Sequence, residues 1–360
     1  MAKKLLALVL AMLMVMSLAS AAFAEQPSDE ELAKWAEENG YVKLAPDLAT
    51  SATEAKQGGV NYGAIEWSSE LQEAAIKEWL KGGPCVADPA YAQDETGWSY
   101  RNMFQMATCY NNIPNCTNLE LVLDAATLNL LGISEAGTSK IQEFQANPAV
   151  SIAWSKQLRD EDIEAGYDYF GSYGLTFNGK VKVYSAADLE TEEGQNALIN
   201  LFDKYYITHG WAMYSAKFAD AETEEEIRAG KLEYITNAVS SGANIVYEII
   251  PTKIILTCPF ILDMVPQMAN ALTYATAENG EFGYKLGITN DFFNKALEYK
   301  NSVIATEDGK ASVEAYYTST MFQMLDQMCG PMNLPTSLEL AMNENSLAGL
   351  KTQTTWTPEA

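Results

Sequence analysis

Gly137-Thr138-Ser139-Lys140-Ile141-Gln142-Glu143-Phe144-Gln145-Ala146-Asn147-Pro148-Ala149-Val150-Ser151-Ile152 is the stretch on which the fold turns. Thr138 to Ala146 reads as a short helix. Asn147-Pro148 ends it, because the residue before a proline is pushed out of the helical region. Ala149 to Ser155 then reads as a strand, and Thr127 to Ser134, upstream of the helix, as another. Further upstream, Phe104 to Tyr110 and Asn118 to Ala125 form a hairpin around Asn111-Asn112-Ile113-Pro114, with Leu119, Leu121 and Leu123 on one face. If the loop is Asn112 and Ile113, Cys109 stands opposite Cys116, as a cross-strand disulfide or as two small buried thiols.

Downstream, Tyr173 to Tyr184 alternates Leu175, Phe177, Val181 and Val183 with polar neighbours, and Asn244 to Cys258 carries Ile245, Tyr247, Ile249, Ile254 and Leu256. Helices rich in Glu and Ala lie between them, from Ala186 to about Val239. Five or six antiparallel strands interrupted by helices predict an α+β protein built on a closed or half-closed barrel. Residues 25–83 form a helical extension. Ser28-Asp-Glu-Glu31 is a capping box before Leu32, Trp35 and Ala36, and a second helix starts near Ser69, buries Leu71, Ala75, Ile76 and Leu80, and stops at Gly82-Gly83. The barrel is expected over 84–264 and a mixed helical extension over 265–360. Within the latter, Met264 to Thr276 and Asp291 to Tyr299 read as helices, and Val303 to Tyr317 as a hairpin around Asp308-Gly309 that faintly echoes Met106 to Val122. Met321, Met324, Met328 and Met332 recur near helical spacing and read as core. The tail from Gln353 is polar and reads as loose.

The first 24 residues have the three parts of a secretory signal: Lys3 and Lys4, an apolar run from Leu5 to Met16, and Ala22-Phe23-Ala24 before Glu25. Cleavage near Ala24 and an exported location, periplasmic or extracellular, are expected, with no membrane insertion of the mature chain. The chain carries 23 Lys and Arg against 48 Asp and Glu, a net charge of -25. Such a surface repels nucleic acid and anionic membranes. Five Cys at wide spacing make neither a zinc site nor a disulfide scaffold, and a His-based metal site or triad would rest on His209, the only histidine. Asp160 to Glu164 and Glu222 to Glu226 are acidic runs without the spacing of a calcium loop. No metal ligand set is assigned.

Ala107-Thr108, the turn, Pro114, two strands and then Gly137-Thr138-Ser139-Lys140 followed by Asn147-Pro148 and a strand resemble the pyridoxamine 5′-phosphate oxidase-like split-barrel family, which binds FMN. Gly179-Lys180-Val181 and Val246 to Leu256 fall where that fold places strands, so the resemblance covers about residues 84–260. It implies an antiparallel split β-barrel and a homodimer with the cofactor at the interface. It also implies a flavin phosphate met by Ser134, Thr138, Ser139 and Lys140, where the start of a helix adds N–H groups and its dipole. Thr117 and Leu123 stand where the family's second strand offers an Arg and a Lys, and Ser139 where an Arg precedes the lysine. Arg101 and Lys156 are the available substitutes, though nothing in the sequence places them there. The implied activity is a flavin-dependent oxidoreductase acting on a small molecule, with no catalytic residue assigned. The alternatives are a non-catalytic relative that binds haem or another cofactor, and an extracellular interaction protein that has lost FMN.

Overall fold

Six strands close on themselves: β1 (Arg101–Tyr110), β2 (Ile113–Leu123), β3 (Leu130–Glu135), β4 (Ala149–Lys156), β5 (Tyr173–Val183) and β6 (Asn244–Thr257). They pair antiparallel in the order β3-β2-β1-β4-β5-β6, and a further ladder between β3 and β6 completes the barrel. This is the α+β split barrel that the sequence predicts. The computed structural model describes residues 63–82, 97, 99–110, 113–156, 173–207, 210–257, 290–332 and 335–358, all within one unit, Val60–Ala360. The leader, the Ser28 capping box, Asp160 to Glu164, His209 and Met264 to Thr276 lie outside the described residues.

Alternation makes the barrel. Phe104, Met106 and Thr108 of β1, Leu119, Leu121 and Leu123 of β2, and Leu175 and Phe177 of β5 are buried, with more exposed residues between them on β1. The rings of Phe104 and Phe177 meet edge to face at 6.3 Å inside. On β6 the inward set shifts register beside Gly179, where a β-bulge falls between Asn178 and Gly179 on β5. The β1–β2 ladder runs from Arg101↔Val122 to Tyr110↔Ile113. It therefore places Cys116 opposite Ala107 and Cys109 opposite Pro114, a correction of two residues to the predicted register. Both thiols are free and stand on one face. The faces survive the correction because side chains alternate with period two.

Helix α1 (Ser69–Leu80) starts as predicted, with the Ser68 hydroxyl accepting from the Leu71 N–H at 3.2 Å. Helix α2 (Ser139–Ala146) crosses one end of the barrel and pushes Phe144 against Tyr247 of β6, ring centroids 5.0 Å apart. The Tyr247 ring lies over Gly132 of β3, where a Cβ would fall 2.5 Å from it. Glu143 ties α2 to β1 and β2, accepting from the Thr108 hydroxyl at 2.5 Å and from the Asn115 amide at 3.1 Å.

Helices α3 (Glu192–Tyr206), α4 (Trp211–Ser215) and α5 (Glu224–Ser240) pack outside the barrel. Leu198, Leu201, Phe202, Tyr214 and Ile235 meet Val122, Leu131 and Val246 there. Thr223 and Glu226 form the capping box that opens α5, so Glu226 accepts backbone N–H groups of its own turn. Asp124, in the β2–β3 turn, accepts from Lys204 at 2.5 Å, from Asn200 at 3.0 Å and from the Ala126 N–H at 2.9 Å. That anchor fixes α3 against the strands.

The C-terminal part departs from the sequence reading. Helix α6 (Asn290–Ile304) is followed by α7 (Glu307–Tyr317), so the hairpin expected over Val303 to Tyr317 is helical and the echo of the first hairpin disappears. Thr306 caps α7 by accepting from the Gly309 N–H at 3.0 Å, which places Asp308-Gly309 in a first helical turn. In α8 (Thr320–Cys329), Phe322 and Leu325 are buried while Met321 and Met324 are exposed, against the expected methionine core. Lys300 of α6 is fully buried and donates to the carbonyls of Asn343 and Ser346, both at 2.7 Å, just past α9 (Ser337–Ala341).

The tail, read as loose, is a strand. β7 (Gln353–Trp356) pairs with β6 from Ile254 to Thr257, on the edge that β3 serves further along. Just before it, Leu350 bridges Ile65 in parallel, the Lys351 N–H donates to the Ile65 carbonyl at 3.0 Å, and the Trp67 indole donates to the Lys351 carbonyl at 2.9 Å. Gly63 has φ +111° here, and a Cβ on it would strike the Leu350 carbonyl. The two ends of the described chain thus clasp each other.

Candidate functional site

The barrel is split between β2 and β3. Only Val122↔Leu131 and Leu123↔Leu130 pair across this seam. Beyond them β2 continues to Ile113 with β1 alone, and β3 continues to Glu135 with β6 alone. Had the ladder gone on, Glu120 would face Ile133.

The sequence-predicted site residues lie along this opening. Ser134 is half-buried on β3, on the face shared by Leu130 and Gly132, and its hydroxyl lies 3.1 Å from that of Tyr247. Thr117 is half-buried on β2 opposite Met106, on the inward face. Thr138 is the N-cap residue of α2, but its hydroxyl donates to the Glu135 carbonyl at 3.0 Å and caps nothing. Ser139 is exposed at the first position of the helix, and Lys140 is half-buried beside it with no ion-pair partner among the described residues. The structure therefore gathers Ser134 and Thr138 to Lys140 on one side of the seam, with Thr117 on the strand across it.

Tyr205, which sequence reading did not assign, and Arg101, which it offered only as a substitute cation, occupy the seam. Tyr205, near the end of α3, donates its hydroxyl to the carbonyl of Ile133 at 3.2 Å. That carbonyl is free to accept because Val246, opposite Ile133, bonds to the Tyr184 N–H on the other side of β6. Arg101 lies over the Tyr205 ring, 5.2 Å from its centroid, and pairs with Glu120 through both Nη2 and Nε, the latter at 3.1 Å. Arg101 is the cation the sequence offered as a substitute, and the structure brings it to the seam with a carboxylate attached. Its diagonal relation to Glu120 follows from the hairpin register. Tyr205 sits on another helix, and no local pattern links it to Ile133.

Burial pushes the Tyr205 phenol up. Arg101 and the Ile133 contact pull it back and Glu120 adds to the rise, leaving it above the ordinary tyrosine value. Burial likewise raises Tyr247, against the Ser134 hydrogen bond and with a smaller contribution from Tyr205. Both phenols stay protonated at neutral pH; Tyr205 donates to the Ile133 carbonyl, and Tyr247 shares one hydrogen bond with Ser134.

A dianionic phosphate needs several cations or converging N–H donors. Lys140 and the first turn of α2 are what this site offers. Ser134 is engaged with Tyr247, Thr138 with Glu135, and Arg101 with Glu120, whose own charge opposes an anion. Among the described residues, this set does not fit the phosphate of FMN.

No family model matches the chain, and no curated protein does. Similar solved structures include a FAD-binding protein of Mesorhizobium loti, at 16% identity over 42% of this chain and 82% of that one, with a TM-score of 0.25. A protein of Listeria innocua provisionally assigned as a pyridoxamine 5′-phosphate oxidase matches at 17% identity over 42% and 85%, TM-score 0.23. HutZ, the heme storage protein of Vibrio cholerae, matches at 13% over 41% and 80%, TM-score 0.26. At such scores the likenesses carry nothing about activity, and the barrel rests on the strand pairing itself.

Proposed function

We propose that this chain is an exported split-barrel protein that binds a small, flat organic ligand where β2 and β3 part. The observation that carries the reading is the convergence of the Tyr205 and Tyr247 phenols and the Ser134 hydroxyl at that seam, beneath α2. The Tyr205 proton is held by the Ile133 carbonyl, and the Ser134–Tyr247 pair shares one hydrogen bond, so one hydroxyl proton of that pair is left to meet a carbonyl or ring-nitrogen acceptor of a ligand. Export after cleavage near Ala24 places the protein where such a ligand is captured from outside. No redox step is assigned to the chain, because the phosphate of FMN finds no fitting set among the described residues.

The test is a visible spectrum of the mature protein purified from its native export route, followed by titration with flavins and with hemin. Saturable binding of one of them, weakened in Tyr247→Phe, supports the reading. A colourless protein that ignores all of them sinks it.

A second copy of the chain is the partner that the outer barrel face suits. Met103, Gln105, Ala107, Cys116 and Ala153 are exposed there on neighbouring strands, and none is charged. A homodimer through this face should become monomeric on Ala107→Glu, read by light scattering after size exclusion.

A further inference from the structure

Arg101 is the only guanidinium that the structure brings to the seam among the described residues, and it arrives neutralised. Glu120 holds it from the neighbouring strand through two of its nitrogens. The Nη1 group reaches the Tyr205 carbonyl at 3.5 Å, and the guanidinium plane covers the Tyr205 ring. Tyr205 in turn occupies the Ile133 carbonyl. An anion entering between β2 and β3 beside Arg101 meets the Glu120 carboxylate and a carbonyl-bound phenol, and Lys140 is the cation left without an ion-pair partner among the described residues. A neutral ring system meets the Tyr205 ring and the half-buried Ser134 hydroxyl, which the buried Tyr247 phenol backs, with no like charge to pass.

We infer that Glu120 and Tyr205 set the specificity of the seam, closing it to phosphate-bearing ligands and leaving it open to uncharged flat ones, of which dephosphorylated flavin is the test case. This rests on the proposed ligand reading. The two residues act differently. Glu120 is an electrostatic selector, because a carboxylate a few ångströms from the entering group disfavours an anion and withholds Arg101 from it. Tyr205 is a steric and hydrogen-bonding one, because it stands where β2 would otherwise have continued its ladder with β3.

The experiment is a fluorescence titration of the mature chain, Glu120→Gln and Tyr205→Phe with riboflavin and with FMN, at low and high salt. Glutamine keeps the size and hydrogen-bonding reach of Glu120 but frees Arg101 from a charge. The expected result is that the unaltered protein binds riboflavin more tightly than FMN. Glu120→Gln should then tighten FMN binding about tenfold, the worth of a charge-assisted hydrogen bond, with riboflavin unchanged. The gain should shrink as salt rises. In Tyr205→Phe, which loses only the hydroxyl, backbone amides of β3 should exchange with solvent faster while those of α5 do not, separating an opened seam from a general loss of structure. FMN binding to the unaltered protein as tightly as riboflavin, or a Glu120→Gln change that moves both ligands alike, overturns the inference and leaves the ligand site standing. Failure of both flavins to bind any of the three proteins overturns the inference, and failure of hemin to bind as well removes the ligand site with it.

Discussion

The hydroxyl of Tyr205 donates to the carbonyl of Ile133 across 3.2 Å, at the level where the ladder between β2 and β3 has already ended. A backbone acceptor left open by one strand is thus satisfied by a side chain from a helix. Buried acceptors are rarely left unmet, and here the partner comes from 72 residues away. Removing the hydroxyl in Tyr205→Phe should cost about 1 kcal/mol, read as a lower midpoint in urea with an unchanged slope. An unchanged midpoint would mean that water replaces the phenol without loss.

Asp124 predicts an acid limb. Burial pushes its carboxyl up, but the hydrogen bond and charge of Lys204, with the Ala126 N–H and Asn200, outweigh that and hold it below the ordinary value of 3.8. A carboxyl lowered in the folded state gives stability that is present above its unfolded value and lost as the pH falls through the folded one. Acid unfolding below about pH 4 should therefore lose part of its steepness in Asp124→Asn. At neutral pH the same variant leaves the Lys204 ammonium half-buried without its carboxylate and should cost about 3 kcal/mol. Equal acid profiles for the two proteins would show that Asp124 is not the group responsible.

Lys300 predicts a slope of the same sign at the other end of the scale. Burial pushes its ammonium down from 10.5 to about 7, with Glu344 pulling back. The unfolded chain then binds the extra proton above neutrality, so stability should rise from about pH 7 to pH 9, before tyrosines titrate. Lys300→Met should flatten that rise while leaving the Asn343 and Ser346 carbonyls short of a donor. A slope that survives the substitution would assign it elsewhere.

Gly132 predicts an overpacking cost. Its missing Cβ is the space that the Tyr247 ring fills. Gly132→Ala should destabilise the barrel by about 1–3 kcal/mol. Combining it with Tyr247→Leu should cost less than the two changes summed, because both act on one contact. Strict additivity in a double-mutant cycle would show that the ring moves aside freely.

Most of the barrel was legible because a strand reports its buried face in every second residue. Leu119, Leu121 and Leu123 identify the inner face of β2 even with the register displaced by two. The displacement arose at the turn, where Asn112-Ile113 and Asn111-Asn112 both suit a short loop. Asp308-Gly309 misled for a similar reason. Flanked by Val303-Ile304 and Tyr316-Tyr317 the pair resembles a hairpin tip, but Thr306 supplies a cap, and Glu307 and Asp308 favour the positive end of a helix. The exposed Met321 and Met324 show that helical spacing identifies a face without saying which neighbour covers it.

The candidate site was half legible. Ser134, Thr138, Ser139 and Lys140 are close in sequence, and their grouping follows from one strand feeding one helix. Thr138 is taken by its neighbour Glu135 within one turn, but whether the rest are available for a ligand depends on Tyr247 and Tyr205, whose contacts are set by the closed barrel and by the packing of α3. Those are long-range facts, and no local pattern encodes them.

The clasp between Ile65 to Trp67 and Leu350 to Lys351 has a consequence for the order in which the molecule can be made. A polypeptide that emerges from its amino end presents Trp67 and the last turns of β6 long before their partners exist. Contacts of such sequence separation form late and cost loop-closure entropy. The earliest described segment therefore waits for Leu350 and Lys351, some 285 residues further on. Until these and β7 behind them are released, β6 keeps an exposed edge from Ile254 to Thr257, a stretch of β-branched and apolar side chains of the kind that recruits foreign strands. Translation stalled or nicked just before Leu350 would leave the barrel's own ladders possible but that edge uncovered, so the tail serves the newborn chain as a guard against its own aggregation.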